Sequence, residues 1–180
     1  MKNVILTTDR TEMKFPLDYI TAIDIVCAIG NIETVQYMDS VPSLIYTEED
    51  ASRFISFLDY TKDSEKYLQL GVFDSMTQKF IGMCSLEAID RNTNTCELGY
   101  WLCKDYVGKG YMCECASEIV KYAKETLNMK RIFAYVICEH TKSISLLLRL
   151  GFEKLATLPN DTENKGKYVD RYKFELDFAK

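Results

Sequence analysis

The stretch from Glu97 to Phe152 limits what this 180-residue chain can become more than any other. It reads E-L-G-Y-W-L-C-K-D-Y-V-G-K-G-Y-M, then an amphipathic segment, then R-I-F-A-Y-V-I-C-E-H-T-K-S-I-S-L-L-L-R-L-G-F. Apolar runs between turn formers predict strands over Thr95–Cys103 and Lys130–Glu139. Between them, Met112, Ala116, Ile119, Val120, Ala123 and Leu127 recur at spacings of three, four and one, the stripe of a helix packed on a sheet. Thr141–Leu150 predicts a second, short helix stopped by Gly151. Gly108 and Gly110 fall after a strand and before a helix, where bare backbone N–H groups and a helix N-terminus can hold phosphate. That placement points to a pyrophosphate-bearing cofactor.

Two common phosphate-binding fingerprints do not fit. The third glycine of a dinucleotide G-x-G-x-x-G would stand at Cys113, and the turn lies midway along the chain. G-x-x-x-x-G-K-[ST] is absent.

These residues resemble the GNAT family of acyl-CoA-dependent N-acetyltransferases, and within it the branch of ribosomal-protein N-terminal alanine acetyltransferases. That branch runs roughly E-I-G-Y-W-L, a spacer, Y-W-G-K-G-Y, then N-x-x-S ahead of K-L-G-F. The matches here are Glu97 to Leu102, Tyr106, Gly108 to Tyr111, Ser143 and Leu150 to Phe152. Phe80 to Gly82 and Thr47 to Phe54 extend the likeness toward the start. Three positions depart from the wider family: Asp105 stands where Gln or Arg is usual, His140 where asparagine is expected, and Leu147 where many members carry a tyrosine general acid.

The resemblance implies a mixed α/β fold with a mostly antiparallel sheet splayed around acetyl-CoA as cosubstrate. It implies that Trp101, Leu102 and Cys103 offer backbone groups to the pantetheine arm. Val107, Gly108, Lys109, Gly110, Tyr111 and Met112 would wrap the pyrophosphate, and His140 would contact the cofactor. Glu97 is the candidate base, with Glu87 and Asp90 as alternates; Glu139 has no such support. Ser143 is the candidate for meeting the departing thiolate, and could equally cap the helix that starts nearby. The acceptor side, shaped in this branch by the first 66 residues, carries no motif that selects among a protein N-terminus, a polyamine, an amino acid or an aminoglycoside. A non-catalytic acyl-CoA sensor is the alternative from a different functional class.

The remaining sequence narrows these readings. With 47% hydrophobic residues and no shift in composition, residues 1–180 are expected to form one domain, monomeric or homodimeric. A net charge of −5 without clustered Lys and Arg argues against nucleic acid and suits a cationic acceptor. The brief apolar run near the N-terminus predicts neither a signal peptide nor a membrane span, so a cytoplasmic protein is expected. Seven cysteines without a C-x-x-C pair are expected to be reduced thiols, and Cys113 and Cys115 face apart on a helix, so no metal site is expected. A thiol nucleophile is disfavoured too, since no histidine partners Cys103 in sequence context.

Elsewhere, periodicity predicts a strand over Val4–Phe15, helices over Leu17–Ile29 and Asn31–Met38, and a helix over Glu48–Tyr60 opened by Thr47. Strands are expected over Tyr67–Phe73, Lys79–Ala88, Phe152–Leu158 and Tyr168–Phe178, with a polar loop between the last two.

Overall fold

The computed structural model describes residues 3–30, 32–39, 41 and 43–179. Eight strands form one sheet: β1 (Leu6–Thr7), β2 (Thr11–Lys14), β3 (Leu68–Asp74), β4 (Phe80–Asp90), β5 (Thr95–Leu102), β6 (Arg131–Ile137), β7 (Glu153–Asn164) and β8 (Lys167–Asp177). Their order across the sheet is β1-β2-β3-β4-β5-β6-β8-β7. Every neighbouring pair is antiparallel except β5 with β6. The helices are α1 (Ala22–Ile29), α2 (Ile32–Val35), α3 (Glu48–Thr61), α4 (Tyr111–Glu125) and α5 (Thr141–Arg149).

The side-chain alternation of the central strands divides the core. Cys96, Leu98 and Leu102 of β5 join Ile119 and Ala123 of α4 and Leu147 of α5 on one face. Phe73, Phe80 and Met83, with Trp101 against them, pack on Ile25, Ile29, Ala51 and Leu58 of α1 and α3 on the other. The β3-β4-β5 meander, α4 and α5 fall where periodicity places them.

Four expectations need correction. Val4–Phe15 is a short hairpin rather than one strand, because Thr8 Oγ1 accepts from the amides of Arg10 and Thr11 and turns the chain. The helix expected from Leu17 is a short 3-10 turn at Pro16–Asp18 followed by α1, since Thr21 and Asp24 form a capping box that restarts the chain there. The Asn31–Met38 helix shrinks to Ile32–Val35, and Asn31 lies outside the described residues. The loop expected after Leu158 is a continuation of the β7–β8 hairpin, closed by Lys165 and Gly166 at φ 53° and 77°, the left-handed pair that a two-residue hairpin turn needs.

Thr47 opens α3 as expected. Its side chain accepts from the Asp50 amide, and Asp50 Oδ2 accepts from the Thr47 amide at 2.8 Å. Thr47→Ala should therefore lower unfolding free energy by about 1 kcal/mol in denaturant melts with no change in the slope.

Candidate active site

The parallel register of β5 on β6 lasts only three positions, Thr95↔Arg131 to Glu97↔Phe133. Beyond it β5 stays with β4 as far as Leu102, and β6 stays with β8 as far as Ile137, so the sheet opens into a V. A cleft of about 1160 Å³ occupies the V and is lined from both walls, by Leu98 to Leu102 on one and Ala134 to Ile137 on the other.

Which backbone groups face the opening follows from the ladder. The Cys103 amide donates to Ile81 O at 2.7 Å, and Gly82 pairs with Leu102. By antiparallel alternation, the amides and carbonyls of Trp101 and Cys103 therefore turn toward β4, and those of Tyr100 and Leu102 face the V. Of the three residues expected to offer backbone groups to the arm, Leu102 has its groups on the open side of β5, as Tyr100 does, while Trp101 and Cys103 have theirs toward β4.

Below the V, Val107 and Gly108 lead to Gly110, which caps α4 in the left-handed region at φ 87°. Glu114 is the first residue to bond back, to Gly110 O at 3.2 Å. The amides of Tyr111, Met112 and Cys113 consequently have no partner within the helix and lie at the positive end of its dipole. Lys109 is exposed and does not line the cleft. Arg10, from the β1–β2 turn, holds this loop: it donates to Lys109 O at 3.0 Å and to Glu114 Oε1 at 2.9 Å, and its guanidinium lies 4.1 Å from the Tyr111 ring centre. Sequence reading missed Arg10 because its partners are about a hundred residues away.

On the α1/α3 face, the cross-strand pair Glu87↔Glu97 sets two carboxylates side by side at the floor of the cleft. Glu87 Oε1 accepts from Ser85 Oγ at 2.9 Å and from Gln69 Nε2 at 3.3 Å. Gly99 makes this possible, since a Cβ there would stand 2.7 Å from Ser85 Oγ and 3.2 Å from Glu87 Oε1. Burial, and then the neighbouring Glu87 charge, push the Glu97 carboxyl above its ordinary value, partly countered by Arg171. Asp90 is elsewhere, holding the following turn through the Asn92 amide and the Thr93 hydroxyl. Glu139 does not line the cleft.

Helix α5 forms a further wall. Lys142 and Arg149 line the cleft as exposed cations. Ser143 is buried and its hydroxyl lies 2.8 Å from the Tyr100 hydroxyl, while no side chain caps α5, so the helix-cap alternative is not what the fold adopts. Leu147 is wholly buried in the core. His140 stacks on Tyr37 at 4.1 Å between ring centres, and burial, with Lys142 nearby, lowers its pKa to about 4. Tyr37 belongs to a strap, Gln36 to Asp39 with Val41, that the β7–β8 hairpin ties to the edge of the cleft. Lys165 Nζ donates to Met38 O and Val41 O, and Asn164 donates to Gln36 O. Among the described residues no group of three or more His, Cys, Asp or Glu could hold a metal, and no helix is long and apolar enough to cross a membrane.

A V-shaped cleft between parting strands, a helix N-terminus below it and paired carboxylates at its floor thus lie together in one part of the fold, and the comparisons with known proteins give its family. The model of the acetyltransferase (GNAT) domain family matches residues 21–153, and the chain belongs to that family as an N-acetyltransferase. It is 30% identical over 155 residues to the uncharacterized N-acetyltransferase p20 of Bacillus licheniformis, covering 85% of each chain. It is 34% identical over 85 residues to the [ribosomal protein uS5]-alanine N-acetyltransferase of Escherichia coli, covering 47% of this chain and 44% of that one. Its fold matches that of the Microcin C7 self immunity acetyltransferase MccE, solved with acetyl-CoA and AMP, at a TM-score of 0.83 and 23% identity over 95% of this chain and 94% of that one.

Two outcomes follow from this geometry. Arg10→Met should speed deuterium uptake at the amides of residues 108–112, measured by hydrogen-exchange mass spectrometry, because the bond that holds Lys109 O is lost. His140 is neutral in the fold, with a pKa of about 4 against 6.5 when unperturbed. The stability it confers is complete above pH 6.5 and lost as pH falls toward 4. His140→Asn should thus narrow the gap between unfolding free energies measured at pH 7.5 and pH 4.5.

Proposed function

We propose that the protein moves the acetyl group of acetyl-CoA directly to a primary amine in a ternary complex, and that the acceptor is the N-terminal α-amine of a protein. The observation that carries this reading is the V itself. The backbone groups of Tyr100 and Leu102 lack a strand partner, the free amides of α4 lie below them, and the acidic floor lies on the opposite face. An extended amide-bearing arm satisfies such an edge as a strand would, and a pyrophosphate suits the helix N-terminus. Lys142 and Arg149 supply full positive charge on the cofactor side.

On the acceptor side Glu97 is the proposed base. Its raised pKa brings it nearer neutrality, and Glu87, fixed by Ser85 and Gln69, is placed to hold the incoming ammonium. The choice of acceptor rests on the cost of a neutral amine. At pH 7 an α-amine with pKa near 8 costs about 1.4 kcal/mol to deprotonate, and a lysine-like amine about 4.6 kcal/mol. A carboxylate base suits the first better, in keeping with the alanine N-acetyltransferase named among the relatives.

The reading is tested by thiol release from acetyl-CoA across N-terminal peptides, polyamines, amino acids and aminoglycosides. Turnover with peptides bearing a free α-amine is expected, and turnover with polyamines alone would overturn the acceptor assignment. Glu97→Gln should lower kcat roughly 10²-fold and abolish its fall at acid pH. Because the Glu87 charge raises the Glu97 pKa, Glu87→Gln should move that acid limb to lower pH while raising the acceptor KM.

A further inference from the structure

Expulsion of the thiol raises a problem that Leu147 leaves open, because the position where related enzymes are expected to carry an acidic hydroxyl is here a hydrocarbon wholly buried in the core. One turn earlier on the same helix, Ser143 is the buried hydroxyl that borders the cleft. A serine hydroxyl has one hydrogen to donate, and it serves a departing sulfur only when that hydrogen is not already engaged with the protein.

Resting on the acetyl-transfer reading above, we propose that Tyr100 is a positioning residue for thiol release: its hydroxyl donates to Ser143 Oγ and so leaves the serine hydrogen to point at the sulfur. The two oxygens are 2.8 Å apart, a pair in which either hydroxyl can donate, and the Tyr100 hydroxyl has the Ser143 carbonyl at 3.4 Å as a second and longer acceptor. Tyr100, on β5, and Ser143, on α5, both line the cleft, so the hydroxyl pair borders the space beside the parting strands. Ser143 does not cap α5, which leaves Tyr100 as its hydrogen-bonding partner among the contacts of the described residues. Burial raises the Tyr100 pKa, so the phenol stays protonated at neutral pH and keeps the hydrogen that the proposed bond requires.

In the step itself, the amine nitrogen bonds to the acetyl carbon and the C–S bond breaks, its electron pair moving to sulfur. The ammonium gives up one proton before attack and the attacking nitrogen a second, both through Glu97 to solvent. The thiolate is met by the Ser143 hydrogen bond and takes one proton from water, so two protons leave and one enters. Two hydroxyls in series polarise one another, and removing either member disables the same function.

A double-mutant cycle of Tyr100→Phe and Ser143→Ala tests this, with kcat, acceptor KM and calorimetric CoA affinity measured for each variant. Each single substitution is expected to lower kcat about tenfold, with KM and CoA affinity within twofold of the original. The double variant should be no slower than Ser143→Ala alone. Full kcat in Tyr100→Phe, losses that multiply in the double variant, or a loss of CoA affinity matching the loss of rate would each overturn the role of Tyr100. Should Tyr100→Phe fold poorly, Ser143→Ala alone decides, since full kcat in that variant leaves Tyr100 no catalytic hydroxyl to position and overturns its role. Unaltered protein that binds CoA but releases no thiol with any acceptor would overturn the acetyl-transfer reading as well.

Discussion

The parting of β5 from β6 is the constraint on which the rest of this structure depends. Three paired positions hold the two halves of the sheet together at one end, and each strand then stays with its antiparallel neighbour. Buried backbone groups rarely go unpaired, so an opening of this kind at the centre of a sheet amounts to a binding site for something that hydrogen-bonds like a strand. The surrounding elements maintain it. Helix α4 connects the separating strands and packs on β4 and β5, α5 lines the cleft, and hydrophobic clusters cover the two faces of the sheet.

Charge is sorted across this opening. Exposed Lys142 and Arg149 line the cleft from α5, while Glu87 and Glu97 lie on the face that packs on α1 and α3. Other ionised groups along the cleft are paired within the fold: Glu33 with Lys104, and Asp39 with Arg171. Such pairing leaves the two glutamates to dominate the floor, and proximity within a half-buried site raises the pKa of one of them. The strap, Gln36 to Asp39 with Val41, is fastened by the β7–β8 hairpin and by the Tyr37–His140 stack, so segments from the N-terminal third and the C-terminal hairpin meet at a single edge of the cleft.

Much of the central region was legible in the sequence. Periods of two and of 3.6 residues marked β3 to β6, α4 and α5, and the glycines at 108 and 110 marked the helix N-terminus. The N-terminal third was less legible. There, short segments owe their shape to local side-chain bonds, as at Thr8 and Thr21, and to packing across the sheet, so periodicity over a dozen residues overstated the length of each element. The hairpin after Leu158 read as a loop because its strands are polar and lie at the sheet edge, where alternation between a buried and an open face fades.

The sequence by itself determined the family, the glycine turn, and the presence of Glu97 and Ser143 on the elements that flank it, because these depend on residue order within short windows. Tertiary structure alone decided which backbone groups face the opening, since that is a matter of ladder register between β4 and β5. It also decided that Glu87 stands opposite Glu97, that Arg10 fastens the turn at Lys109, and that Tyr100 meets Ser143. Those pairings join residues from 10 to about 100 positions apart. No local pattern encodes them; they exist only once the sheet has brought the strands into register.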